Sequence, residues 1–470
     1  MDGQKIRGAR LERAFAAVMK KARIPAISCA VLNNGELAFV ETFGVRNAET
    51  GEPADVDTVF AAASFSKTVF AYLVMLLQED GEIYLDETLE SYLGDRLAND
   101  PHYEDLAGDL RTTLITGRQA LSHTIGFPNW RFLTDDGKLR LEFEPGERFS
   151  YSGEGIALLQ RVVEKRTGRG LEELARERVF EPLRMDRTSY VWQPAFENNH
   201  AVPHDEFGRP RRLGRRREAD AAGSMYTTAG DYARFVSALL AARGQRRETV
   251  DAMWSLQVPI DSVAMFGLGA RERTRDNENV RLGWSLGWGR FETRHGPAVF
   301  HTGHDFGWQN YTVTHLTPGT GVVLLSNSNN FESVARELVA AAVGEEESPF
   351  DWLGYPRFDP RALREAPPDP VVVDVPVETL REYVGDYSFL SDRVISFRLE
   401  GASLFASTGD GDWDELAATS PTELFVPGGE AAFRFITSPG RPPRLVILVE
   451  GLEINARPIA DALEIPEALP

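Results

Sequence analysis

A chain of 470 residues and 52.3 kDa is longer than one hydrophobic core ordinarily organises, and predicts two or three domains. Its composition, 42% hydrophobic and 26% charged, is that of a globular protein, and a net charge of −20 with a pI near 5.0 argues against nucleic acid as a partner. Arg and Lys interrupt the N-terminal segment throughout, so neither a leader peptide nor a membrane span is expected; the single Cys29 excludes an intrachain disulfide framework, and the cytoplasm is the expected location.

Residues 11–23 have the spacing of an amphipathic helix. Two strand-like runs follow, "AISCAVLNNG" and "ELAFVETFG", joined by the Asn-Gly of a hairpin turn. Cys29 lies in the first run and reads as a small core residue. The next segment, "AAASFSKTVFAYLVMLLQEDG", predicts a buried helix over 64–80, with Val69, Phe70, Leu73, Val74, Leu76 and Leu77 at helical spacing. It also contains an anomaly, Lys67, in the first turn, where the macrodipole disfavours a cation by roughly 0.3–1 kcal/mol. The chain has six lysines, and only this one has a serine three residues before it. Positions i and i+3 share a helix face, so Ser64 and Lys67 can meet.

The middle of the chain is mostly helical, including "EGIALLQRVVEKRTG" and "AGDYARFVSALLAARG". Strands return with "RLGWSLGWGRFET", "PAVFHTG", "WQNYTVTHL" and "GVVLLSNS", followed by a helix near 331–343. Strands at both ends with helices between them predict an α+β domain: one antiparallel sheet built from N- and C-terminal parts, flanked by helices, beside a helical subdomain. A Pro-rich, acidic stretch reads as a linker over 346–376, and short alternating strands beyond it predict a small all-β barrel over 377–470. The first domain is thus expected to span 1–345.

Two further stretches bear on chemistry. "GERFSYSGEG" puts Tyr151 in a Gly-flanked loop before a helix, and "PAVFHTGHDFGW" puts His301-Thr302-Gly303 at the end of a strand, where Gly303 permits close backbone approach. Taken in order, Ser64-x-x-Lys67, Tyr151-Ser152-Gly153 and His301-Thr302-Gly303 resemble the serine β-lactamase and penicillin-binding-protein superfamily. Within it, the chain most resembles the class C β-lactamases with their related esterases and D-amino-acid peptidases. "LSHTIGFPNW" at 121–130 and "AAGSMYTTAGDYARF" at 221–235 support the same resemblance, which spans roughly residues 10 to 345.

The resemblance implies a serine hydrolase that acts through an acyl-enzyme on Ser64, with Lys67 and Tyr151 as acid/base partners and His301 beside them. Which of the pair takes the first proton is left open by the sequence. It implies an oxyanion hole from the backbone N–H groups of Ser64 and His304. Gly303, Trp130, Gly153 and Glu154 are the candidate substrate contacts, Trp130 as a pocket wall or a packing aromatic, and Glu154 as a partner for the tyrosine or a substrate amine or as a complement to a helix N-terminus. No cofactor and no metal is implied: His301 and His304, three apart on a strand, point to opposite faces. The C-terminal domain resembles lipocalin-like modules of some peptidases and peptide cyclases.

Two departures matter. Lactamases usually carry Lys where this chain has His301, and Asn where it has Gly153; both changes favour small esters or peptide-like amides over β-lactams. Alternatives are a β-lactamase or D-amino-acid peptidase, an acyl-transferring cyclase or thioesterase, and a non-catalytic binding protein of the same fold. Partners are then limited to the small-molecule substrate, with room for a homo-oligomer. Two rival signals complete the chain. "GWSLG" offers Ser285 as a nucleophile, but no helical period follows it. The arginine cluster "GRPRRLGRRRE" at 208–218 reads as a solvated loop or a collector of carboxylates at the cleft mouth.

Overall fold

The computed structural model describes residues 8–134, 136–344, 347–366, 368, 370–389, 393–408, 412–429, 431–438, 441–449 and 452–459. The first seven residues, the expected 345/346 domain boundary and residues 460–470 lie outside them. The chain divides into two compact units, 1–133 with 139–365, and 134–138 with 366–470.

In the first unit, helix α1 (Gly8–Ala22) leads into strands β1 (Ala26–Asn33) and β2 (Glu36–Gly44). Asn34 and Gly35, both at positive φ, close this hairpin as a two-residue turn of that kind requires. The later strands are β3 (Val258–Pro259), β4 (Gly283–Trp284), β5 (Gly289–Thr293), β6 (Gly296–Asp305), β7 (Trp308–His315) and β8 (Thr320–Ser326). They form one antiparallel sheet in the order β2-β1-β8-β7-β6-β5-β4-β3. The pairing of β1 with β8 joins the two ends of the domain, as the distribution of strands in the sequence predicts.

The sheet has a core on each face, because side chains alternate along a strand. Ala26, Ala30 and Leu32 of β1 face the core that holds helix α2 (Phe65–Glu79), while Ile27, Cys29 and Val31 face the core that holds α1. Every residue of α2 from Phe65 to Leu77 is buried. An apolar stripe alone would cover one face; α2 is enclosed because α3 (Gly153–Thr167) and α4 (Ala229–Leu240) belong to the same core. A fifth helix, α5 (Ala335–Val343), packs with α1 on the opposite face of the sheet.

Two expectations need correction. The strand expected over 281–293 is two strands, β4 and β5, interrupted at Gly287 with φ of 80°. A Cβ at Gly287 would stand 2.4 Å from Ala71 Cβ, so the break lets the sheet approach α2. The linker expected from 346 is also misplaced in its first part: Phe350, Trp352, Leu353 and Tyr355 are buried in the core beneath the sheet, with Phe350 and Tyr311 ring centroids 4.9 Å apart. Proline and acidic residues dominate the composition there and mask four aromatic and aliphatic anchors.

The second unit is a nine-stranded antiparallel sheet among the described residues, running from Gly385–Phe389 to Leu452–Pro458. Those first and last long strands pair through Tyr387 with Pro458 and Ser388 with Arg457, curling the sheet into a nearly closed barrel. Tyr383, Tyr387, Phe397, Phe433 and Phe435 fill its core, with Tyr383 stacked on Phe435 at 4.0 Å. Among the described residues no helix is long and apolar enough to cross a membrane.

Candidate active site

Ser64 is the N-cap of α2, but its side chain makes no capping bond. An N-cap serine ordinarily accepts from a first-turn N–H; here Oγ meets Lys67 Nζ at 3.0 Å. Ala63, just before it, sits at φ of 47°, a left-handed conformation that costs an L-residue about 1 kcal/mol.

Lys67 is 1% exposed and also donates to the backbone O of Ala222 at 2.5 Å. Burial pulls its pKa from 10.5 to about 7, against the nearby negative charge of Asp220, which works to raise it. The first-turn lysine is therefore held in the protein interior on two defined partners, and at neutral pH it is divided between its ammonium and amine forms.

Tyr151 lies with its ring centroid 5.0 Å from Lys67 Nζ. Its phenolic oxygen is buried and has no partner at full hydrogen-bonding geometry, yet it is near enough to Ser64 to feel that hydroxyl. Burial pushes the phenol's pKa well up, and the serine opposes the shift. His123 holds the tyrosine from both sides. Its carbonyl accepts from Ser150 N at 2.8 Å and its Nδ1 accepts from Ser152 N at 3.1 Å, while the imidazole lies 4.3 Å from the phenol ring. Because Nδ1 accepts, Nε2 carries the proton. Burial, chiefly, lowers this histidine's pKa well below 6.5, with Lys67 and His301 adding to the effect, so it stays neutral.

His301 is buried in β6 and directs Nδ1 to the backbone O of Thr302 at 2.7 Å. Burial and the charge of Lys67 lower its pKa to about 3, leaving an uncharged ring 6.2 Å from that of Tyr151. Behind it, Thr302 Oγ1 bonds the hydroxyl of Tyr355, one of the anchors in the supposed linker. Gly303 allows β6 to reach Ser64's segment: a Cβ there would lie 2.5 Å from Ala62 O. Strand β5 pairs with β6 only as far as Phe300, so residues 301–305 keep one edge beside the start of α2. His304 follows Gly303 on that edge, its ring half-exposed and its Nδ1 2.9 Å from Glu332 Oε1.

The remaining candidates occupy one wall. Trp130 covers Gly153, where a Cβ would come within 2.5 Å of the indole, and its ring centroid is 6.0 Å from Lys67 Nζ. Glu154 was expected to face substrate, but its carboxylate is buried on Arg131: Oε1 accepts from Arg131 N and Nε at 2.9 and 3.0 Å, and Oε2 from Nη2 at 2.8 Å. Arg131 Nη1 also reaches the His102 carbonyl at 2.7 Å. Removing one member of so enclosed an ion pair strands the other's charge. Glu154→Leu is therefore expected to destabilise the first unit by about 3–5 kcal/mol, measured as a lowered midpoint in urea unfolding.

Ser285 is fully buried with Oγ on Trp254 O at 3.1 Å, and strand β5 follows it instead of a helix. In the arginine cluster, Arg211 pairs with Asp205, Arg215 with Glu197 and Arg216 with Asp305 at the end of β6. Sequence reasoning missed His123, Arg131, the Ala222 carbonyl, Asp220 and Phe266, whose ring stands edge-on to Tyr151 at 5.6 Å. His123 and Ala222 lie inside stretches that already signal the resemblance; nothing local marks the other three.

The family model described as Beta-lactamase matches residues 11–345. Penicillin-binding protein 4 of Amycolatopsis lactamdurans is 26% identical over 379 residues, covering 75% of this chain and 94% of that protein. Esterase EstB of Burkholderia gladioli is 28% identical over 232 residues, 44% of this chain and 57% of the esterase. Among solved structures, the octameric penicillin-binding protein homologue from Pyrococcus abyssi aligns over 96% of this chain and all of its own, with a TM-score of 0.57 at 17% identity, a likeness of fold.

Proposed function

The chain belongs to the beta-lactamase family, and from that premise we propose that it is a serine hydrolase of small esters or peptide-like amides. Ser64 is its nucleophile, and Lys67 and Tyr151 are its acid/base pair. The observation that carries this is the contact of an enclosed lysine amine with an uncapped serine hydroxyl, 3.0 Å apart.

The two pKa shifts divide the work. A phenol pushed upward keeps its proton at pH 7, whereas a lysine near 7 has a substantial amine fraction. Lys67 Nζ takes the proton of Ser64 Oγ as that oxygen attacks the carbonyl carbon. The resulting oxyanion is received by the backbone N–H groups of Ser64 and His304. As the bond to the leaving alcohol or amine breaks, Tyr151 supplies its proton and regains one from the Lys67 ammonium. Water then attacks the acyl-Ser64 ester, with the same pair accepting and returning its proton, and the acid leaves.

The neutral His301 favours esters and simple amides over β-lactams, since it offers an anionic substrate no counter-charge. Intact-mass spectrometry across p-nitrophenyl esters, D-alanyl amides and a chromogenic cephalosporin tests the proposal. An adduct of acyl mass on Ser64 is expected from the esters. An adduct from the cephalosporin alone transfers the assignment to a β-lactamase, a cyclised product to acyl transfer, and none from any compound to a binding protein.

A further inference from the structure

We infer that Trp130 and Phe266 form an apolar clamp across the Ser64–Lys67–Tyr151 cluster, which selects uncharged substrates with an extended apolar acyl group. This deepens the acyl-enzyme function proposed above and rests on it. Trp130 stands 6.0 Å from Lys67 Nζ, and Phe266 stands 5.6 Å from the Tyr151 ring, so each end of the cluster carries an aromatic neighbour. In the proposed clamp, the substituent of a carbonyl held at Ser64 Oγ runs along one of these rings.

Both rings are held in place. Trp130 rests on the bare Cα of Gly153, and its loop is tied to the start of α3 by Gly153 N on Asn129 Oδ1 at 3.0 Å and by the Arg131–Glu154 pair. The indole thus occupies the room into which a side chain at 153 would project, and an apolar plane stands where an amide could otherwise read the substrate. Phe266 is carried by a loop anchored through buried Met265, whose N–H donates to Trp352 O at 2.9 Å. Its own ring is 47% exposed, and Leu268 two residues on is 82% exposed, so the lip is apolar and accessible. A fixed ring costs little ordering on binding and gains the transfer of each methylene it covers.

Charge argues the same way. Arg131 is buried on Glu154, Arg216 is paired with Asp305, and His301 is neutral, so no free cation among these three waits for a carboxylate. An acyl chain with a terminal carboxylate would bring its charge against indole and phenyl faces, beside a Lys67 Nζ already engaged by Ser64 Oγ and Ala222 O.

The experiment compares kcat/KM for p-nitrophenyl acetate, pentanoate and the glutarate monoester, which matches pentanoate in length but ends in an anion. Wild type is expected to favour pentanoate over acetate by about 10-fold, and over the glutarate monoester by at least the same factor. In Trp130→Ala and in Phe266→Ala the first ratio should fall below about 3. Labelling of Ser64 by a fluorophosphonate serves as the check on folding. Phe266→Ala, which alters a half-exposed side chain, decides the matter if Trp130→Ala does not label. A wild type that labels at Ser64 yet shows no gain with chain length, prefers the glutarate monoester, or keeps its ratios in the labelled variants overturns the clamp alone. A wild type that neither labels nor turns over any ester overturns the hydrolase function, and the clamp with it.

Discussion

Ser64→Ala is expected to abolish the acyl adduct and to lower ester turnover by at least about 10³-fold, because it removes the oxygen that forms the acyl bond. The rival serine, Ser285, is buried with its Oγ on a backbone carbonyl. The loss should fall on kcat and kcat/KM together, since the bond to Oγ exists only beyond the ground state. Folding should be little changed: Ser64 Oγ makes no capping bond, so α2 loses no first-turn partner. Intact mass before and after exposure to substrate, with a thermal melt, measures both parts. Residual adduct in Ser64→Ala at the wild-type mass increment would assign the nucleophile elsewhere.

Lys67→Met is expected to cost about 10²–10⁴ in kcat/KM, the range ascribed to a well-placed base. Wild-type activity should carry the signature of the same group. With a pKa of about 7, the reactive amine is about a tenth of the enzyme at pH 6 and about nine tenths at pH 8, so kcat/KM rises through this interval. In Lys67→Met that limb should vanish from whatever activity remains.

Stability also rises with pH. Between pH 7 and 10.5 the unfolded chain holds a proton on Lys67 that the folded chain has lost, so the stability of the folded state rises with pH across that window. Below pH 7 both states are protonated and the full penalty of burying the ammonium is present. Methionine removes the penalty at the expense of the bond to Ala222 O, for a net gain of about 1–3 kcal/mol at neutral pH. A Lys67→Met variant that melts lower than wild type at pH 7 would show the buried lysine to be a structural requirement instead.

Much of the scaffold was legible because its signals are local. The Asn34-Gly35 turn, the periodicity of α2 and the apolar run of β1 each depend on residues a few positions apart, and the structure places them as expected. Ser64 and Lys67 meet for the same reason, since one helical turn sets their separation. The misread strand at 281–293 failed at Gly287, whose backbone is dictated by Ala71, more than 200 positions away. The misread linker failed because Phe350 and Tyr355 acquire partners only when the sheet exists to cover them.

By itself, the sequence determined the order of elements, the serine–lysine pair and the absence of a cation at position 301. Only the tertiary structure decided that Lys67 is enclosed against Ala222, that His123 braces Tyr151 and that Glu154 is bound by Arg131. The division has a physical origin. Helical and strand geometry follow from neighbouring torsions, whereas desolvation, and the proton affinities it shifts, depend on every group that happens to surround an atom, however distant in the chain.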